Sequence, residues 1–282
     1  MFSSAIVGNE KERKSKMINI IKSLNYAARR DTVNWIAIIT CLVMPMFVLY
    51  LSGLLNPDSL QKMTPSAYFA SQEMGTAFIF MSIGIMIFSS KLVAGDASDK
   101  TINYEFMAGH SRNRIFVGRT IAGFLWGALL MWILMMLPLG YLNLLYGWGP
   151  ETKCSEVLLR CCLVIFPIIR LCSLNIMLAS VSRSAGKGIG LGFAIMMVVS
   201  LVASAIQELL NIDITYPTGM TNAAYLLCPQ NSRNEVINGV NTALYDTTVT
   251  GEMIWKTIAV SLVFSAIYLT VAFVNFKRKD RD

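Results

Sequence analysis

Three ionisable side chains, Glu73, Arg160 and Arg170, lie inside long apolar runs of this 282-residue sequence. An ionised group in the hydrocarbon core of a bilayer costs about 2.5 to 3.5 kcal/mol on insertion scales, and less near the interface. Each of the three should therefore face protein or water rather than lipid. Ionisable groups in such positions are typical of a pathway for a transported substrate.

Glu73 and Arg160 are predicted near the outer ends of the second and fourth runs, where they pair, line an outer vestibule, or extend singly to the lipid headgroups. Arg170 lies near the middle of the fourth run, with no acid at its own depth. In one interpretation it faces the pathway or a partner subunit and meets an anionic, lipid-like substrate. In the other, it bonds to backbone carbonyls freed by Pro167 or to Asn175.

The sequence lacks the residue sets of an intramembrane enzyme. Its one histidine, His110, lies in a polar connector, and Glu73 is the only clear acid inside an apolar run. No carboxylate pair, and no base beside a nucleophile, can therefore be assembled within the runs. The six cysteines have no CxxC spacing and no neighbouring histidine. We expect no catalytic residue, metal or cofactor in this chain; a disulfide between the outer residues Cys154 and Cys228 is one possibility.

The elements that position these residues follow from composition. Hydrophobic residues make up 55% of the chain and charged residues 15%, and the mean hydropathy of +0.55 is typical of integral membrane proteins. A helix needs roughly 20 apolar residues to cross the bilayer core. We therefore predict one all-α integral membrane domain, residues 1–282, with six transmembrane helices. The apolar runs are at 34–55, 68–91, 116–146, 157–181, 187–209 and 253–275.

Positive charge predicts that both termini are cytoplasmic. Lysines and arginines concentrate before the first run, between the second and third, between the fourth and fifth, and after the sixth. The loops on the opposite side hold only Lys62, Lys153 and Arg233. We predict a multi-pass protein of the bacterial plasma membrane. Its segments are a cytoplasmic N-terminus (1–33), spans one to five (34–210), an extracellular loop (211–252), and the sixth span with a cytoplasmic tail (253–282).

Two segments outside the spans are predicted to be helical. In KMINIIKSLNYAARR, residues 16–30, apolar side chains share one face at about 100° per residue, which predicts an amphipathic helix in the inner membrane interface. The alternative is a basic topology signal without fixed structure. In the outer loop, Met220, Ala224, Leu226 and Leu227 predict a short helix that dips part-way into the membrane, with a plain soluble loop as the alternative.

A polar connector, GDASDKTINYEFMAGHSRNRIFVGR at residues 95–119, joins the second run to the third. Helix-start signals and a stop at Gly109 predict a short cytoplasmic helix within it. Ile102 and Phe106 are i,i+4 neighbours and give that helix an apolar edge. So short a helix is marginal alone in water, and we expect it to dock against another protein. The alternative is a solvated turn whose arginines only set topology.

The residue order in this connector resembles the first coupling helix of the type-2 ABC transporter permeases, especially those serving bacitracin and lantibiotic resistance or immunity. An acidic residue, a threonine and apolar residues precede a glycine and a Ser-Arg pair that leads into the next span. The resemblance implies that the connector inserts into a cytosolic ABC ATPase subunit. The predicted coupling residues are Asp96, Thr101, Ile102, Glu105, Phe106, Gly109 and Arg112.

By the same resemblance, the chain is the permease subunit of an exporter that moves an antimicrobial peptide, an antibiotic or another amphipathic, lipid-like substrate out of the membrane. It has no GxxxxGK[ST] loop, so ATP and Mg²⁺ would bind to an ATPase dimer. A second permease copy or a paralogue and membrane lipid are the other expected partners; nucleic acid is not. The alternative function is an immunity or sensor protein that binds an antimicrobial peptide without transporting it.

Overall fold

The computed structural model describes residues 18–55, 64–71, 73–95, 106–107, 109–182, 184–210, 215–228, 232–237 and 240–278. Within these ranges, five helical stretches are long and apolar enough to cross a membrane, and a shorter apolar helical stretch covers Thr32–Met44. The predicted all-α membrane fold is confirmed. The predicted coupling residues Asp96, Thr101, Ile102 and Glu105 lie outside the described residues.

The helices follow the six predicted apolar runs. Residues 18–30 form α1, and the remaining elements are α2 (Thr32–Leu55), α3 (Pro65–Ala70), α4 (Glu73–Ser90), α5 (Arg112–Tyr146), α6 (Cys154–Leu163), α7 (Ile165–Ser182), α8 (Ala185–Leu210), α9 (Gly219–Leu227), β1 (Ser232–Ile237), β2 (Val240–Tyr245) and α10 (Gly251–Arg278). A π-helical turn, Lys91–Gly95, continues α4.

The second span begins later than predicted. The apolar run was predicted from residue 68, but the chain forms the short helix α3 first and starts α4 at Glu73. Pro65 occupies the first turn of α3, and the Thr64 hydroxyl accepts a hydrogen bond from the Ala67 N–H, so the local sequence favours a separate helix. Tyr68 is buried in this outer helix, which packs against α5.

The fourth span is divided at Val164, between α6 and α7. Pro167 is the physical reason, because it has no N–H to donate to the carbonyl of Leu163 one turn earlier. The third span contains a different irregularity, since residues Phe124–Leu130 in the middle of α5 form a π-helical turn. Such turns insert one residue into an α-helix and occur frequently at functional sites.

The helix α7 lies at the centre of the fold and packs against α4, α8 and α10. Small residues permit these close approaches. Thr257, Ser261 and Ser265 of α10 are one turn apart and buried. On the other side, a Cβ built on Gly188 of α8 would lie 2.9 Å from the Cα of Ala179 in α7, so only glycine fits at this crossing.

The strands β1 and β2 form an antiparallel hairpin that the sequence analysis did not predict. Ser232 pairs with Tyr245 at one end of the hairpin, and Ile237 pairs with Val240 at the other. The Tyr245 N–H donates to the carbonyl of Glu151, 2.9 Å away, in the segment between α5 and α6. The hairpin is therefore attached to the same end of the molecule as α3.

Candidate transport and coupling sites

Arg170 lies in α7, close after Pro167, and only 4% of its surface is exposed. Its guanidinium donates to the carbonyl of Tyr216, 3.0 Å away, and to that of Pro217. It also lies over the ring of Phe264 in α10, 4.1 Å from the ring centroid. Backbone carbonyls hold the side chain, as one interpretation expected, but they come from the segment before α9 and not from the turn that Pro167 interrupts.

Asn175, the other partner considered for Arg170, points elsewhere. Its amide Nδ2 donates to the carbonyl of Leu171, 2.9 Å away. Its Oδ1 is buried and has no hydrogen-bond partner in the described part of the chain. This oxygen lies against Gly192 of α8, so Asn175 belongs to the crossing of α7 with α8.

A cavity of about 150 Å³ lies beside Arg170. Four helices and the segment before α9 contribute to its walls, which are mostly apolar. The residues that matter most for its chemistry are Arg170, Val199, Thr218, Phe264 and Tyr268. The cavity is partly open, and it lies between α8 and α10, which flank α7.

The start of helix α9 covers one side of this cavity, the side predicted to face outward. Thr218 caps its N-terminus by accepting a hydrogen bond from the Thr221 N–H, 3.1 Å away. Ala223, Leu226 and Leu227 are fully buried, because the helix packs among α4, α6, α7 and α8. The predicted short helix is therefore present, and its entry into the membrane stays a prediction.

Arg160 lies in α6 and is buried, but it does not pair with Glu73. Its Nε donates to the carbonyl of Thr247 at 2.9 Å, and its two terminal nitrogens donate to the carbonyls of Thr248 and Tyr225. Glu73 is half-buried at the first residue of α4. Of the three alternatives considered for Glu73 and Arg160, the ion pair is not formed, because carbonyls of the segments near α9 and α10 use the donors of the guanidinium.

Arg160 does line an outer polar cavity of about 270 Å³, with Tyr225, Cys228, Asp246 and Thr248 among the other residues of its wall. The possible disulfide is not formed, since the thiols of Cys154 and Cys228 are both free. Cys228 packs on Gly75 of α4, whereas Cys154 is exposed. The role of Glu73, Arg160 and Arg170 in a substrate pathway remains a prediction.

Helix α1 packs with the ends of the second and third spans, which are the ends predicted to be cytoplasmic, in a small apolar cluster. The buried members of this cytoplasmic cluster are Ile20, Leu24, Ala28, Leu92, Ile115 and Ala122. The amphipathic α1 contributes one residue per turn, and Ile20 packs on Gly118 of α5. The predicted amphipathic helix thus forms, although Ile18 and Ala27 of its predicted apolar face are exposed.

The described end of the connector lies against this cluster. Phe106 is half-buried on it, and the Arg112 guanidinium lies over the Phe106 ring, 5.6 Å from the centroid. Gly109 has a φ of +76°, and its N–H donates to the Phe106 carbonyl, so it ends a helical turn as predicted. Met107, which follows Phe106 in the chain, is 80% exposed.

Polar contacts join the turn that follows α4 to two other segments, the junction of α1 with α2 and the helix α5. Asp31, between α1 and α2, forms an ion pair with Lys91 in the π-helical turn. Arg119 of α5 is 1% exposed and donates to the carbonyl of Leu92 at 3.4 Å. Partial burial of Asp31 disfavours its charged form, but the Lys91 ammonium and the N–H groups of Val33 and Asn34 outweigh this, and the pKa of Asp31 is below its usual value.

A family model described as ABC-2 family transporter protein matches residues 28–281, nearly the whole chain. The chain belongs to the ABC-2 transporter family. It is a multi-pass membrane protein and the membrane subunit of an ABC transporter, and it works with a separate ABC ATPase subunit. No curated protein matches the sequence.

Two positions in this ABC-2 permease were missed as candidates for coupling. Arg119 was assigned only to membrane topology, because a basic residue beside a span usually sets orientation. In the structure it is buried against the turn from which the connector starts. Met107 was placed beside the apolar edge, yet it is the exposed residue, while Phe106 packs on the permease itself.

Proposed function

We propose that this ABC-2 permease is the transmembrane subunit of an ATP-driven exporter that moves an antimicrobial peptide, an antibiotic or another amphipathic, lipid-like substrate out of the membrane. The observation that carries the proposal is a buried guanidinium, Arg170, beside a cavity in an otherwise apolar helical bundle. Charged groups inside spanning helices are rare and commonly mark the route of a substrate or an ion.

The connector would couple the ATPase to the spans. Its predicted contacts Asp96, Thr101, Ile102 and Glu105 precede the described turn at Phe106, and Met107 adds an exposed apolar side chain. Because Phe106 packs on the cytoplasmic cluster, a displacement of the connector by the ATPase would be transmitted to α1, α4 and α5 together. ATP and Mg²⁺ would remain on the ATPase dimer, and a second copy or a paralogue would complete the transporter.

The test is reconstitution of the permease with its partner ABC ATPase in lipid vesicles. We expect a transported peptide or antibiotic to stimulate ATP hydrolysis and to accumulate on the opposite side of the membrane. The matched control replaces the phosphate-binding lysine of the ATPase, which should abolish both signals. Tight substrate binding that persists without stimulated hydrolysis or movement would contradict export and favour an immunity or sensor protein.

A further inference from the structure

The guanidinium of Arg170 is buried among groups that carry no full negative charge in the described residues. Two backbone carbonyls and the Phe264 ring surround it, and Tyr268 lies beside it. Within the described part of the chain, no carboxylate pairs with it. Carbonyl dipoles and a ring face lower the energy of a buried cation but leave its net charge uncompensated. Each of the two carbonyls accepts one hydrogen bond and the Tyr268 hydroxyl accepts another, so these described partners occupy only some of the five N–H groups of the guanidinium.

The cavity beside this cation is small and mostly apolar. At about 150 Å³ it matches the size of an apolar cavity that holds one benzene ring, so a folded peptide does not fit. Arg170, Thr218 and Tyr268 are polar members of the lining, whereas Val199 and Phe264 are apolar. The space therefore suits a compact polar head followed by a few carbon atoms.

The helices on either side of the cavity suit a hydrocarbon chain. The walls on either side belong to α8 and α10, whose outer faces carry exposed apolar residues such as Val198, Leu201 and Ile267. An alkyl chain that left between the two helices would stay in an apolar environment. The outer side is covered by the start of α9.

We propose that this cavity binds the oxyanion head of a single-chain amphiphile, with Arg170 as its counter-ion and the alkyl chain emerging between α8 and α10. A carboxylate or a phosphate monoester accepts paired hydrogen bonds from a guanidinium. The inference rests on the proposed export of an amphipathic substrate and specifies the chemical group that the spans recognise.

Native mass spectrometry of the full-length chain in a non-ionic detergent tests the proposal. The probes are oleate, oleoyl lysophosphatidic acid and methyl oleate, which share one chain and differ in the head. We expect one or both anions to bind at least about tenfold more tightly than the ester, the size of one charge-assisted hydrogen bond. The tighter anion identifies the source of the head as a fatty acid or a phospholipid.

Two variants locate the site. Arg170→Met should reduce anion affinity by about tenfold or more and leave the ester unchanged. Val199→Trp should fill the cavity and weaken binding of the anions while every contact of Arg170 is retained, so it decides the question if Arg170→Met does not fold. Val198→Trp is the matched control, because Val198 is adjacent, exposed and outside the cavity wall.

Equal binding of the ester and both anions would overturn the inference, as would wild-type anion affinity in both Arg170→Met and Val199→Trp. The result is separable from that of the export proposal. Anion binding with no stimulated ATP hydrolysis would leave this site intact and reject export. Transport of a peptide by a permease that binds neither anion would support export and reject this site.

Discussion

Three buried arginines donate to backbone carbonyls of other segments. Arg119 reaches Leu92 at the end of α4, Arg160 reaches Thr247 before α10, and Arg170 reaches Tyr216 before α9. Leu92 lies in the π-helical turn that continues α4, whereas Thr247 and Tyr216 lie in segments that precede a helix, where no regular secondary structure satisfies the carbonyl. A long, multi-donor side chain therefore fixes the position of a neighbouring segment.

For Arg160 this arrangement predicts a loss of stability on substitution. Arg160→Met leaves the carbonyl of the buried Thr247 without a donor, and we expect the free energy of unfolding to fall by about 1 to 3 kcal/mol. Thermal unfolding of the detergent-purified wild type and variant measures this difference in stability. Lys153→Met is the control and should change little, because this side chain lies directly before α6, is 77% exposed, and forms only a surface ion pair with Glu156. Equal losses in the two variants would contradict a specific role for Arg160.

The Asp31–Lys91 ion pair predicts a dependence of stability on pH. The pKa of Asp31 is lowered in the folded protein, so the pair stabilises the fold above the ordinary aspartate pKa, and this contribution disappears as pH falls through the lowered value. Both side chains are partly exposed, so the contribution is under about 1 kcal/mol.

We expect Asp31→Asn to melt at a lower temperature than the wild type at neutral pH, and the difference to vanish in strong acid. Melting curves at a series of pH values check both statements. Glu208→Gln serves as a control, because this exposed carboxylate near the end of α8 is not part of the cytoplasmic cluster. A difference that grows on acidification would contradict the assignment.

At the scale of elements, local sequence signals explain which helices and strands were predicted correctly and which were missed. The apolar runs predicted the spans because length alone limits what can cross a bilayer. The hairpin was missed, although Asn238-Gly239 between two short strands is a strong turn signal. The partners of Arg170 could not be predicted, because they lie 46 and 47 residues away in the chain and no local periodicity reports such a contact.

Substitutions in the connector should separate its two roles, docking of the ATPase and stabilisation of the permease fold. Met107→Asp places a charge on an exposed side chain, so we expect at least about tenfold weaker ATPase binding with an unchanged melting temperature. Phe106→Asp should lower both, because the carboxylate would enter the cytoplasmic cluster. Pull-down and melting curves of both variants make the comparison. Ile102→Asp is also expected to release the ATPase. Normal ATPase affinity in Met107→Asp would remove Met107 from the docking surface.

The crossing of α7 and α8 predicts different effects for two glycines in one helix. Gly188→Leu drives a side chain into the Ala179 backbone, whereas Gly190 has open space around it. We expect Gly188→Leu to lower stability by about 1 to 3 kcal/mol and Gly190→Leu to leave the melting temperature near that of the wild type. Size-exclusion chromatography and melting curves report both. Similar behaviour of the two variants would argue against tight packing at this crossing.

For the whole molecule, the orientation predicted from lysines and arginines can be tested with a native thiol. Cys154 is exposed at the start of α6, on the side predicted to be extracellular. A membrane-impermeant maleimide added to intact cells should label the protein, and Cys154→Ser should abolish most of the label. Labelling of Cys154 only after the cells are opened would reverse the predicted topology.

The π-helical turn in α5 has a mechanical consequence. A π turn holds one residue more than an α-helical turn, so its relaxation would rotate one half of α5 against the other by about 100° and shift it by about 1.5 Å. Trp126 in this turn donates to Asn25 of α1 at 2.6 Å and stacks on Phe88 of α4. By tying this turn to α1 and α4, the Trp126 side chain opposes such a rotation.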